Sequence, residues 1–272
     1  MLRTSIQIGA ALAAGILAIA NWAPAFAQGT RVQDPWPGLA NQIFGTAELR
    51  DGSGLLALDM PERAEDASVV PIAVRLTLPA GDRRWMKALT LVIDENPSPV
   101  AASFAFGDKA RIESLSTRVR INSYTNVHAV AELSDGKHYV VQRFVKASGG
   151  CSAPASKDVA ESKAHLGEMR FREFARKPDS ALHEAQLMIR HPNNSGLQMD
   201  QVTHLYVPAF FVEKLSILQG KDLILRMEGG ISISENPSLR FSYIPNGTAS
   251  FRAEAVDTEK DVFKGEWPSA GM

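Results

Sequence analysis

The stretch 126–133, NVHAVAEL, alternates apolar side chains with the residues between them. Val127, Ala129, Ala131 and Leu133 fall on one face, and His128 begins the other. A period of two is typical of a β-strand with one buried face, whereas a helix repeats every 3.6 residues. The stretch therefore predicts a strand, and similar stretches on both sides of it predict a β-protein.

Comparable alternation fills most of the chain between turns rich in Gly, Pro, Asn and Asp, such as SDGK (134–137) and PNGT (245–248). Short strands at this spacing, without helical patterns between them, favour antiparallel sandwiches. A short helical turn is expected at GLANQIFG (38–45). The alternating stretches are VVPIAVRLTL (69–78), KALTLVID (87–94), STRVRINS (116–123), HYVVQRFVK (138–146), ALHEAQLMIRH (181–191), VPAFFVEKLSILQ (207–219), KDLILRMEG (221–229), SLRFSYIP (238–245) and ASFRAEAVD (249–257).

The first 27 residues have the pattern of a secretory signal peptide. Arg3 precedes an apolar stretch, and Ala25-Phe26-Ala27 supplies the small residues of a cleavage site. The alternative is an uncleaved membrane anchor, for which the apolar stretch is short. We expect cleavage, export and a periplasmic location, with no membrane attachment afterwards. About 245 residues would remain, which suits two ordinary domains.

The overall composition excludes some classes of partner. The chain has 272 residues and a formal net charge of −1, so it lacks the basic surplus that nucleic-acid binding needs. Its hydrophobic content of 45% and charged content of 22% are those of a globular protein.

The only cysteine, Cys151, lies in VKASGGCSAPASKD (145–158). A leftover cysteine in an exported protein indicates an intermolecular bond, an adduct or a reactive thiol; the alternatives are a small buried hydrophobe or an inert linker residue. Gly149 and Gly150 precede Cys151, small residues surround it, and nothing nearby in sequence would bury it. We therefore predict a mobile arm hinged at the two glycines, which suits a carrier better than an enzyme.

Other candidate sites are weaker. His191, Met199 and His204 form a segment that would suit copper, although no repeated spacing defines a geometry. A histidine base for Cys151 would need a proximity that sequence does not show. The segment after Cys151 has the composition of a linker, and its charged part, including EMRFREFARK (168–177), predicts a solvated face or a helix capped by Ser156.

The first half resembles SoxY, the carrier subunit of the periplasmic Sox sulfur-oxidation system, through PERAEDASVVPIAV, LTLVIDENPSPVAASFAFG, STRVRINSYTNVHAVAEL and SGGC. The second half resembles SoxZ, through MIRHPNNSGLQMD, VPAFFVEKLSILQGKDL, ISISENPSLRFSYIPN and GEWP. Together they are similar to fused SoxYZ-like carriers associated with quinoprotein dehydrogenases.

This resemblance implies two immunoglobulin-like β-sandwiches in tandem, joined by a flexible, partly helical linker. The expected order is a signal peptide (1–27), a SoxY-like sandwich (35–150), the cysteine arm and linker (151–178) and a SoxZ-like sandwich (179–268). The resemblance also implies a non-enzymatic carrier, without cofactor or metal, that holds a sulfur-containing cargo on Cys151. Its partners would be Sox-type or quinoprotein dehydrogenase-associated periplasmic enzymes.

The arm departs from the SoxY pattern, in which GGCGG normally ends the chain. Here SAPAS follows Cys151 and the chain continues, so the arm would be a loop tied at both ends. A second hypothesis is that the tandem sandwiches form a binding or assembly module for a periplasmic quinoprotein dehydrogenase, with the thiol incidental. A third is copper handling by the segment from His191 to His204.

Overall fold

The alternating stretches form the strands of two sheets in a computed structural model, which describes residues 34–154, 164–175 and 180–269. The predicted short helix precedes the first strand. The elements are α1 (Trp36–Phe44), β1 (Leu49–Asp51), β2 (Leu56–Asp59), β3 (Val70–Leu76), β4 (Met86–Ile93), β5 (Val100–Phe106), β6 (Ser114–Val119), β7 (Thr125–Leu133), β8 (His138–Val145), β9 (Met169–Glu173), β10 (His183–Ile189), β11 (Val212–Gln219), β12 (Asp222–Gly229), β13 (Ser238–Tyr243), β14 (Ser250–Asp257) and β15 (Val262–Pro268).

Both sheets run through the two halves of the chain. The nine-stranded sheet has the order β1-β8-β7-β4-β5-β12-β11-β14-β15, and the six-stranded sheet has the order β2-β3-β6-β13-β10-β9. All the neighbouring pairs are antiparallel except β1 and β8, which are parallel. The predicted all-β fold with immunoglobulin-like sandwiches is confirmed.

The halves meet strand to strand in each sheet. In the larger sheet β5 pairs with β12, placing Phe104 opposite Met227, and in the smaller one β6 pairs with β13, placing Leu115 opposite Phe241. An unpaired strand edge exposes backbone hydrogen-bonding groups. The pairing covers five residue pairs in the larger sheet and two in the smaller one, so each sheet continues from one half into the other.

One continuous apolar core lies between the sheets and extends across this junction. Phe104 is 2% exposed, and its strand has β4 of the first half on one side and β12 of the second half on the other. The described residues from Pro35 onward form one compact unit. The two halves therefore share their core.

The charged run after the arm differs from its interpretation as a solvated face or helix. Met169–Glu173 forms β9, an edge strand paired with β10. Phe171 stacks against Phe251 and Trp267, while Arg170 and Arg172 face outwards. Met169 and Phe171 are two positions apart and therefore lie on the same face of a strand. Their packing favours an edge strand here over a helix or a solvated face. The helix cap predicted at Ser156 lies outside the described residues.

The predicted signal peptide, 1–27, also lies outside the described residues. Within the part of the chain that the structure does describe, no helix has the length and apolar content to span a bilayer.

Candidate functional site

Cys151 is buried, with 0% of its surface exposed. The local sequence argued against a buried cysteine, and that inference is wrong, because the residues that bury Cys151 are distant in sequence. The preceding glycines lie against the loop 120–122, and the hydroxyl of Ser195 donates a hydrogen bond to the Cys151 carbonyl. Burial raises the pKa of the Cys151 thiol, while the positive charge of Arg120 acts in the opposite direction. In this conformation the thiol is therefore protonated and shielded from solvent.

Backbone hydrogen bonds hold the cysteine segment in place. The Gly149 N–H donates to the Asn122 carbonyl at 2.8 Å, and the Gly150 N–H donates to the Ile121 carbonyl at 2.9 Å. These bonds depend only on main-chain atoms, so glycine retains them without any side chain. Residues 149–151 are therefore docked as a strap across the end of β6.

The two glycines have different structural roles. Gly149 has a φ of +78°, a left-handed conformation that residues with a Cβ adopt only with strain. At Gly150 a Cβ would lie 2.0 Å from the Ala67 carbonyl oxygen and 2.7 Å from that of Ile121. Gly149 thus makes the turn, and Gly150 permits the close backbone approach. Their predicted role as the hinge of an arm stays a prediction.

Arg120 lies beneath this strap as a buried cation with 1% of its surface exposed. Its two terminal nitrogens donate to the Gly150 carbonyl at 3.2 Å and to the Asn193 carbonyl at 3.3 Å. Its Nε–H has no partner among the described residues. Burial lowers the pKa of Arg120, and the negative charges of Glu235 and Asp66 and the Cys151 thiolate oppose that shift. An arginine remains charged under such conditions.

A buried polar chain continues from Arg120 into the second half. The Asn193 N–H donates to Nδ1 of His191, and Nε2 of His191 lies 3.5 Å from an Asp257 carboxylate oxygen. The Asn193 side chain accepts from the Val212 N–H and donates to the Ile233 carbonyl. Asn193 thereby fixes the loop on which Arg120 and the strap rest.

Acid should destabilise the protein through His191. Burial lowers the pKa of His191 from its ordinary 6.5, with Asp257 opposing. The folded state therefore binds this proton less readily than the unfolded chain, so stability is complete above pH 6.5 and declines as the pH falls towards the folded pKa. We expect this residue to contribute a slope of up to about 1.4 kcal/mol per pH unit.

Urea unfolding between about pH 5 and pH 7.5 measures this slope. His191→Asn, which keeps an acceptor for the Asn193 N–H, should be less acid-sensitive than the wild type. His204→Asn is the matched control, because His204 is exposed and its φ of +57° suits asparagine. An unchanged slope in His191→Asn would contradict this assignment.

The residues considered for copper differ in their exposure to solvent. Nδ1 of His191 already accepts the Asn193 N–H in the interior, whereas His204 and Met199 are on the surface. Nowhere in the described ranges do three or more His, Cys, Asp or Glu side chains form a group suited to a metal ion.

Comparison with protein families assigns both halves. Residues 40–151 match the model of the sulfur oxidation protein SoxY, and residues 171–268 match that of the sulphur oxidation protein SoxZ. The chain is a fused SoxYZ-like protein. The two matches place it in a sulfur carrier family whose members act with partner proteins. The SoxY match ends at Cys151, and the SoxZ match begins within β9.

Solved structures also include similar chains. The sulfur carrier protein SoxY from Chlorobium limicola f thiosulfatophilum is 25% identical over 41% of this chain and 94% of that chain, with a TM-score of 0.33. A superoxide reductase (neelaredoxin) from Ignicoccus hospitalis is 12% identical over 34% of this chain and 78% of that one, with a TM-score of 0.29. No curated protein sequence matches the SoxYZ-like chain.

Sequence reasoning found the cysteine of this SoxYZ-like protein but missed the residues that hold it. Arg120 follows the alternation of STRVRINS, which assigned it to the polar face of a strand, yet β6 ends at Val119 and Arg120 points into the interior. Ser195 and Asn193 lie in HPNNSG, a turn-like stretch with no chemical signature. A buried arginine carries no local signal, because its burial depends on loops from both halves.

Proposed function

We propose that the protein is a periplasmic carrier that holds a sulfur-containing intermediate covalently on Cys151 and presents it to partner enzymes. The position of Cys151 carries this proposal: the only cysteine lies where the SoxY match ends, before the SoxZ match begins. The signal-like segment 1–27 supports export. The partners would be Sox-type or quinoprotein dehydrogenase-associated enzymes, and the chain itself would catalyse no reaction.

A carrier thiol has to leave its docked position to react. Only the thiolate is a nucleophile, and burial both raises the pKa of Cys151 and excludes reagents. The strap is held mainly by a few hydrogen bonds to main-chain atoms, and Gly149 provides its turn. Opening of the strap would expose the thiol to a partner's active site, and closing would protect it from oxidation in an oxidising compartment.

The loop between β10 and β11, which holds the strap through Ser195, also carries an exposed apolar surface. Beyond Ser195, Val202 is 87% exposed, Leu205 69% and Tyr206 66%. Large apolar side chains that cluster on a surface often mark protein contacts. Their position on the loop that bonds the Cys151 carbonyl would bring a partner enzyme close to the released thiol.

The intact mass of the protein purified from its native periplasm tests this function. We expect a fraction with additional mass that maps to the Cys151 peptide and disappears on treatment with reductant. Cys151→Ser should remain folded but lack the adduct, and cells that carry it should lose the oxidation reaction for which the partner enzymes need the carrier. The carrier function would be refuted if the thiol were always free and the partner enzymes worked equally well with Cys151→Ser.

That second outcome would favour the alternative function, a binding or assembly module for a periplasmic quinoprotein dehydrogenase. The complete burial of Cys151 and the exposed apolar loop are the observations in its favour. Under that function Leu205→Ser and Tyr206→Ser should weaken binding to the dehydrogenase, whereas Cys151→Ser should not.

A further inference from the structure

Arg120 is a buried cation that forms no ion pair among the described residues, although the negative charges of Glu235 and Asp66 act on it. Its hydrogen bonds go to the carbonyls of Gly150 and Asn193, and no carboxylate of the described residues pairs directly with it. A buried cation is normally paired with an anion, because removal from water disfavours an isolated charge. The guanidinium therefore has no anion in direct contact, since Glu235 and Asp66 act on its charge without bonding it.

Buried polar atoms without a partner among the described residues occur on Arg120 and on the loop of Ser195, where the acceptor Oδ1 of Asn194 is one of them. The Nε–H of Arg120 is buried without a partner among the described residues, and so is the side-chain amide nitrogen of Gln198, which is 0% exposed. Gln198 lies on the loop of Ser195 and accepts the Ser195 N–H through its own oxygen. Buried donors without partners are uncommon in native structures and call for an explanation, such as an absent ligand.

Arg120 and the loop of Ser195 both contact the segment that carries the Cys151 thiol. Arg120 bonds the residue before Cys151, and Ser195 bonds the Cys151 carbonyl. The positive charge of Arg120 also opposes the rise that burial causes in the pKa of the Cys151 thiol. An anion attached to Cys151 could therefore reach Arg120 after a small shift of the strap, taking over the hydrogen bond that the Gly150 carbonyl now accepts.

We propose that Arg120 is the counter-ion of an anionic, sulfonate-terminated group carried on Cys151. Arg120 would thereby select the class of cargo, since its planar donors match the oxygens of a sulfonate as they match those of a phosphate or a carboxylate. A sulfonate would be bound in the closed state, whereas a neutral adduct would leave the guanidinium without an anion in direct contact. This inference rests on the proposed carrier function and adds a positioning residue to it.

Two thiol reagents produce a matched pair of adducts for the test. With tetrathionate, the Cys151 thiolate attacks a sulfur of the central disulfide, thiosulfate leaves, and the product is Cys–S–S–SO₃⁻. With methyl methanethiosulfonate, the thiolate attacks the methylthio sulfur, methanesulfinate leaves, and the product is Cys–S–S–CH₃. Each full-length protein is incubated until its intact mass shows complete modification, and its thermal unfolding midpoint is then measured.

In the wild type we expect the sulfonate adduct to melt about 4 °C above the methyl adduct. Arg120→Lys, which keeps the charge, should retain part of this difference, and Arg120→Gln, which removes the charge, should abolish it. Equal midpoints for the two wild-type adducts would overturn the proposal even if Arg120→Gln failed to fold. An undiminished difference in a folded Arg120→Gln protein would overturn it as well.

This test of Arg120 can fail or succeed independently of the test of the carrier function. These adducts are formed in vitro, so a sulfonate preference that depends on Arg120 supports the site even if the native protein carries no adduct. Conversely, a native adduct on Cys151 without a charge preference would support the carrier and refute the role of Arg120.

Discussion

Gly150→Ala is expected to raise the rate at which a thiol reagent labels Cys151 by roughly 5- to 150-fold, because the added Cβ destabilises the closed position of the strap. The added Cβ would lie 2.0 Å from the Ala67 carbonyl oxygen, which is fixed by the Ile121 N–H at 2.8 Å. The Ala67 carbonyl oxygen cannot move away from the added Cβ without breaking its hydrogen bond to the Ile121 N–H. Overpacking of this kind typically costs 1–3 kcal/mol, which here falls on the closed state alone.

Gly149→Asn is the matched control for this variant. A Cβ at Gly149 would meet nothing closer than 4.0 Å, and asparagine tolerates the positive φ of this position. Its labelling rate should stay close to that of the wild type. Mass spectrometry under native conditions measures both rates, and far-ultraviolet circular dichroism checks the fold. Equal labelling of Gly150→Ala and the wild type would show that the strap does not limit access to the thiol.

The second large effect is expected at the junction of the halves. Phe104→Ala should reduce the free energy of unfolding by about 3–5 kcal/mol, the usual loss for a large aromatic side chain removed from a core. Phe104 is buried between Leu89 of its own half and Met227 of the other, so the cavity would border both. The two halves should therefore lose stability together.

Tryptophan fluorescence during urea unfolding can follow each half separately. Trp85 reports on the first half and Trp267 on the second, in variants whose other tryptophans are replaced by phenylalanine. We expect the two reporters to share one midpoint and Phe104→Ala to lower both equally. Phe144→Ala, at a position 48% exposed, should change little. Two clearly separate midpoints for the two reporters, without the Phe104→Ala change, would contradict the shared core.

The local elements of this fold could be predicted because strand formation depends on a short-range pattern. The alternation of 126–133 matches β7, and that of 69–78 contains β3. β9 was missed for a related reason: its arginines raised the charge of the run while Met169 and Phe171 kept the period of two. Where periodicity and charge disagreed, periodicity was the better guide.

Local patterns in the sequence were enough to predict the all-β architecture, the order of the two halves and the candidate attachment residue. Each of these depends on neighbours along the chain: apolar spacing, family-like motifs and the presence of one cysteine. The sharing of both sheets by the two halves and the burial of Cys151 could be seen only in the folded chain. Those features depend on residues far apart in the chain, such as Arg120 and Ser195 converging on Cys151, and such contacts arise from the pairing of strand edges rather than from any local pattern.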